Sequence, residues 1–223
     1  MSKHFSLYRL VLLAAACGTL CTCSSKEVID RKGLTSTQHY DVAKGLLDKE
    51  DYLRAINEFK IVLRRYPDSQ VGDQTLFGLA QAYYFNKDYT DAVYELRRFM
   101  RDYPKSPLME DAQYYLSLCF LKQSRIAVLD QEETKLAIDE LKNYLNEYPQ
   151  GKYRDDVKKA IGTCREKLAE KNFKNARLYF RLKDYQAAVI YCQSVIDKFP
   201  DTSWKQPAIE LLGLCDIKLK EMP

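Results

Sequence analysis

Histidine, cysteine and paired carboxylates are the residues through which a chain most often does chemistry, and this sequence spends them sparingly or at unhelpful spacings. There are two histidines, His4 and His39. A Ser-His-Asp arrangement or a histidine metal site would have to use His39, and no partner stands at a recognisable spacing from it. Four of the seven cysteines lie in the body of the chain, at positions 119, 164, 192 and 215, with spacings of 45, 28 and 23 that match no ligand motif. The run Asp130-Gln-Glu-Glu-Thr134 holds three carboxylates, but it reads as a solvated helix start rather than an acid/base pair. No phosphate-cradling glycine loop, C-x-x-C or H-E-x-x-H is present. The residues do not describe an enzyme, and they call for neither a metal nor a cofactor.

The remaining cysteines carry the one covalent chemistry that the sequence supports. Lys3, His4 and Arg9 precede an apolar run, Leu10 to Leu20, that is too short to span roughly 30 Å of hydrocarbon as a helix. A basic end, an apolar stretch of this length and small residues after it describe a secretory signal. The segment Leu20-Cys-Thr-Cys23-Ser-Ser resembles a bacterial lipobox, in which Leu three residues before Cys directs thioether lipidation and cleavage. Cys23 is the expected acceptor and Cys17 the alternative. Residues 1–22 are then a lipoprotein signal peptide and 23–35 a flexible tether. Several acyl chains, at roughly 0.8 kcal/mol per buried methylene, make a stable anchor where one chain does not.

Composition bounds the rest. With 46% apolar residues, 30% charged residues, eight glycines and seven prolines, the chain is built to fold. Its net charge is +4, or +2 without Lys3 and Arg9, which is too little to suggest a nucleic-acid binder.

The elements that position any site announce themselves by repetition. "VLRRYPDS" (62–69) is followed by "FMRDYPKS" (99–106), "YLNEYPQG" (144–151) and "VIDKFPDT" (195–202). Twelve residues before each proline stands an alanine: Ala55, Ala92, Ala137 and Ala188. Four residues after these come Phe59, Leu96, Leu141 and Cys192, and seven after them Val62, Phe99, Tyr144 and Val195. That spacing is one face of a helix. The aromatic and proline end it, with Asp or Ser placed to cap the next helix. Upstream, "VAKGLL", "LAQAYY", "LSLCFL" and "NARLYF" each place a small residue (Ala43, Ala80, Ser117, Ala176) where two helices would cross. Cys119, Cys164 and Cys215 stand two residues after Ser117, Gly162 and Gly213, the slot held by Ala82 in the second copy. A slot that accepts Ala or Cys is a small packing position.

These residues resemble the tetratricopeptide repeat, a small residue and tyrosine followed by Ala-x₃-Phe and a closing proline. The resemblance implies an all-α, right-handed superhelical solenoid of about five helix pairs, or about ten helices. Pairs 1 and 2 are expected over 36–107, pair 3 over 108–152 with an extended loop at 123–133, a long helix and pair 4 over 153–203, and a C-terminal capping helix or fifth pair over 204–223.

In such an array the front helices line a groove. The residues three before the crossing positions, Tyr40, Phe77 and Tyr114, should face it, with Lys44, Gln81 and Leu118 one position after and Tyr84 and Lys122 further along. An aromatic ladder flanked by lysines suits an extended peptide, with a terminal carboxylate to meet the ammonium groups. On this reading Phe77 and Tyr114 can be trimmed with little loss of stability.

The lipobox, the tether, the irregular third repeat and the stretch "YPQGKYRDDVKKAIGTCREKLAEKNFKNARLYFRLKDYQAAVIYCQSVIDKFPDT" (148–202) together resemble the BamD family of outer-membrane assembly lipoproteins. That resemblance implies a non-enzymatic scaffold, lipid-anchored at the periplasmic face of the outer membrane. It implies two partners, a β-barrel insertase with POTRA domains and the C-terminal segments of unfolded outer-membrane proteins. The C-terminal pairs would hold the insertase, with Arg177, Arg181, Lys183 and Trp204 as candidate contacts. Another tetratricopeptide lipoprotein, a secretin pilotin or a coordinator of envelope constriction, shares the anchor and the repeats and is the alternative.

Overall fold

A computed structural model describes residues 33–126 and 131–221. The described residues form nine α-helices: α1 Ser36–Asp48, α2 Tyr52–Arg65, α3 Gly72–Phe85, α4 Tyr89–Asp102, α5 Met109–Ile126, α6 Gln131–Glu147, α7 Arg154–Arg181, α8 Tyr185–Lys198 and α9 Lys205–Lys220. Each packs on the next in chain order, as a helical solenoid requires. None is long and apolar enough to cross a membrane. Cys17 and Cys23, with nearly all of the signal and tether, lie outside the described residues.

The twelve periodic positions from Ala55 to Val195 are all buried, none more than 1% exposed. Burying each larger side chain contributes on the order of 1.5–3 kcal/mol, and the alanines let neighbouring helices approach. Tyr66, Tyr103 and Phe199 share one backbone conformation, φ near −130° and ψ 49–63°. Clash with the proline ring keeps the residue before it out of helical geometry, so three copies stop identically.

The turn inside a pair has its own signature. Glu50, Lys87 and Lys183 adopt φ of 60°, 69° and 63°. The following amides of Asp51, Asp88 and Asp184 donate back to the carbonyls of Leu46, Tyr83 and Tyr179 at 2.9–3.0 Å. This is the six-to-one bond of a Schellman stop. The repeated x-Asp-Tyr (Glu50-Asp-Tyr52, Lys87-Asp-Tyr89, Lys183-Asp-Tyr185) marks it in the sequence.

Three expectations need correction. The capping serines do not cap. Ser69 and Ser106 accept from the amides of Val71 and Leu108 at 3.3 Å inside the turn, and Val71, at the N-cap of α3, makes no side-chain cap. Among the described residues, Thr35, in a capping box with Gln38, and Asp184 act as side-chain N-caps. Second, of the loop expected at 123–133, residues 123–126 belong to α5 and 131–133 to α6, while 127–130 lie outside the described residues. Helices α5 and α6 reach 18 and 17 residues, and Glu132 and Glu133 suit the positive end of α6.

The capping helix expected over 204–223 is α9, and the nine helices of the described residues accord with a solenoid of about ten. Third, the small-residue slot is occupied at Ala43, Ala80, Ser117 and Ala176, all fully buried, but open at Gly162 and Gly213. A Cβ added at either glycine would meet nothing within 4 Å. Helix α7 is 28 residues and about 42 Å long, and it buries Ala176 as well, 14 positions beyond Gly162. At Gly213 no described helix follows α9. The cysteines of these segments are nevertheless buried thiols, with Cys164, Cys192 and Cys215 joining one core cluster around α7–α9.

Candidate peptide-binding cavity and partner surface

Four segments enclose a cavity of about 330 Å³. Helix α1 contributes Tyr40, Lys44, Leu47 and Asp48, while α3 contributes Asp73, Gln74, Phe77, Gly78 and Gln81. The turn before α5 supplies Pro107 and Leu108, and Phe59 of α2 reaches in from behind. Gly78 is what allows that reach. A Cβ there would lie 2.6 Å from Phe59 Cζ, so only glycine lets the ring lie against the α3 backbone. Phe59 in turn sits 6.1 Å, centroid to centroid, from Tyr40.

The cavity's polar rim is weighted to carboxylates. Asp73 is held in place: its Oδ2 accepts from Ser106 Oγ at 2.8 Å and its Oδ1 from the Gln74 amide at 2.7 Å. Asp48 and Lys44 end α1 one turn apart and are exposed. The Tyr40 hydroxyl titrates above its ordinary range, chiefly through burial, then through the charges of Asp41, Asp73 and Asp48. One lysine therefore faces two lining aspartates with a third nearby, and the expected welcome for a terminal carboxylate is not what the rim offers.

Of the eight groove residues read from the sequence, Tyr40, Lys44, Phe77 and Gln81 meet in this cavity. Phe77 is only 7% exposed and contacts Phe99 and Tyr115 at 5.7 and 5.8 Å. It is a core residue with one edge on the cavity, so trimming it will cost stability. Tyr84 does not line the cavity; it packs with Phe85, Tyr89 and Tyr115, and burial raises its hydroxyl pKa. Leu118 and Lys122 are half-buried on α5 and do not line the cavity.

Tyr114 is diverted altogether. Its ring stacks on Tyr153 at 3.8 Å and 7°. Tyr153 is pinned there because its hydroxyl donates to Asp111 Oδ1 at 2.5 Å and its amide to Tyr144 Oη at 3.1 Å. Tyr144 donates in turn to Glu110 Oε1 at 2.7 Å, which also accepts from the Lys152 amide. The network fastens the start of α5 to the turn before α7. Desolvation and these carboxylates raise the pKa of Tyr144 and Tyr153.

The second candidate surface is on α7–α9. Arg177 and Arg181, one turn apart, are exposed, as is Lys183 in its left-handed turn. Trp204 differs: it is half-buried at the start of α9, its ring 5.3 Å from Phe173, and serves the C-terminal core. The sequence reading passed over the apolar residues beside the arginines. Leu178 on α7, Leu182 at its C-cap and Ile190 on α8 are exposed. Their signal was available, since 178 and 182 fall off the buried Phe173–Ala176 stripe at helical spacing.

The order of helices and the shared Ala–Pro register define a helical-repeat protein of the tetratricopeptide class. The sequence signature of the YfiO family, described as "Outer membrane lipoprotein", matches residues 32–218. The chain belongs to that family. Among its relatives, the outer membrane protein assembly factor BamD of Vibrio cholerae is 27% identical over 231 residues, spanning 96% of this chain and 94% of that one. BamD of Caulobacter vibrioides is 26% identical over 170 residues, 76% of this chain and 56% of its own length. Among solved structures, MamA protein aligns with a TM-score of 0.38 at 21% identity, covering 83% of this chain and 82% of that one.

Proposed function

We propose that the chain is a non-enzymatic scaffold of the machinery that assembles β-barrel proteins in the outer membrane. It is held at the periplasmic face by lipid on Cys23, receives extended segments of unfolded barrel proteins in the α1–α3 cavity, and grips the barrel insertase through the α7–α9 surface. The observation that carries the reading is the family match across 32–218. It runs from just before α1 into α9, so the whole array is shared and not a single generic repeat. The cavity supports the substrate role, because aromatic walls beside Gly78 admit a side chain from an extended strand. The exposed Arg177, Arg181, Leu178 and Leu182 support the partner role, since arginine with apolar neighbours is the composition of interface centres.

The test is a mild-detergent pull-down of the tagged lipoprotein from native membranes, with co-purifying proteins identified by mass spectrometry. A stoichiometric β-barrel protein bearing POTRA domains is the expected result, and it should be lost on Arg177→Glu with Arg181→Glu. A secretin or a peptidoglycan-linked partner in its place would overturn the assembly role. Cys23→Ala should move the protein from the membrane to the soluble fraction.

A further inference from the structure

We infer that the α1–α3 cavity selects an aromatic side chain flanked by a lysine or arginine within an extended chain, and not a free carboxylate terminus. The inference rests on the reading that this cavity receives unfolded polypeptide, and concerns which segments it takes.

Shape argues for the aromatic. The floor is the Phe59 ring lying on Gly78, and the walls are Tyr40, the edge of Phe77 and Leu108. A flat ring entering there meets ring faces and edges at the separations that aromatic pairs favour. The volume of about 330 Å³ holds one large side chain and part of its backbone.

Charge argues for the flanking cation. Asp48 and Asp73 line the rim against Lys44 alone, and Asp41 adds to the same negative field at the Tyr40 hydroxyl. Asp73 cannot swing away, because Ser106 and the Gln74 amide hold both of its oxygens. A carboxylate entering this rim is opposed by more charge of its own sign than Lys44 offsets. A guanidinium or ammonium one residue from the inserted ring meets Asp48 or Asp73 directly. Such pairs at an exposed rim set preference more than total affinity.

The test uses the lipoprotein in detergent and fluorescein-labelled ten-residue peptides read by anisotropy. One peptide has an internal Arg-Phe step and an amidated end, and the other places its Phe at a free C-terminal carboxylate with no basic residue. The first should bind more tightly. Asp48→Asn should weaken it by about two- to fivefold, the range for an exposed ion pair, and raised salt should narrow the preference. Phe→Ala in the peptide should abolish binding. Asp48 is an exposed helix-end residue, so its substitution leaves the fold intact, and Asp48→Lys should reverse the preference.

If the carboxylate peptide binds equally or better, and Lys44→Ala rather than Asp48→Asn weakens it, the inference is wrong while the cavity remains a peptide site. If neither peptide binds, or Tyr40→Ala leaves both affinities unchanged, the peptide-binding role of the cavity fails with it.

Discussion

Replacing glycine by alanine at two helical positions should move stability in opposite directions, and the contrast isolates one contact. Gly78 and Gly162 both lie inside helices, so each substitution gains about 1 kcal/mol of helix propensity. At Gly162 the new methyl meets nothing within 4 Å, and that gain should appear undiminished. At Gly78 it would lie 2.6 and 2.8 Å from Phe59 Cζ and Cε1, where carbon contacts normally rest at about 3.5–4.0 Å. The ring must retreat by about 1 Å. Phe59 is only 1% exposed, so it can retreat only against Tyr40 or into the cavity. Overpacking of this kind costs roughly 1–3 kcal/mol. Gly78→Ala should therefore end about 0–2 kcal/mol less stable than wild type, and about 1–3 kcal/mol less stable than Gly162→Ala. For a chain of this size each kcal/mol moves the melting temperature by about 2–4 °C. Urea titration followed by helical circular dichroism, with thermal melts alongside, reads both. Equal stability of the two variants within about 0.5 kcal/mol would refute the Phe59–Gly78 contact and with it the cavity floor. Gly78→Ala should also weaken peptide binding, because the displaced ring occupies the cavity.

Phe77→Ala should cost about 3–5 kcal/mol in the same titration, as expected for a phenylalanine removed from a packed core. Burial pushes the Cys119 and Cys192 thiols up to about 12, so maleimide or iodoacetamide at pH 8 should modify them only in denaturant, as peptide mass mapping would show. Arg165 donates to both Asp201 oxygens and to the Lys198 carbonyl, and this hydrogen bonding holds the Asp201 carboxyl below its ordinary range. The folded value lies below the unfolded one, so the stabilisation is present above the unfolded value and is lost as pH falls through the folded one. Asp201→Asn should cost about 0.2–1 kcal/mol at pH 7, the range for an exposed pair, and progressively less as pH falls through the folded value. An unchanged difference across that interval in acid denaturation would argue against the pair.

The repeat was legible because its physics is local and periodic. Ala55, Phe59 and Val62 declare a buried helical face by spacing alone, and Tyr66-Pro67 declares its end, since the clash that stops the helix involves adjacent residues. Four copies in one register made the helix-pair class readable before any contact was known. The cavity was half legible. Tyr40, Lys44, Phe77 and Gln81 lie on two front helices at matching positions, so periodicity found them. The same periodicity misplaced Tyr114, because a third-repeat network of Glu110, Asp111, Tyr144 and Tyr153, joined across 42 residues at its longest, claims its ring.

Left to itself, then, the sequence determined the helices, their stops and which face of each is apolar, all consequences of interactions within a few residues. Tertiary structure alone decided what the cavity is. Asp48, Asp73 and Leu108 come from the end of one helix, the start of another and a turn. Their charges and surfaces add to one field and one floor only when packing of α1, α3 and α5 brings them together, and no spacing along the chain encodes that sum.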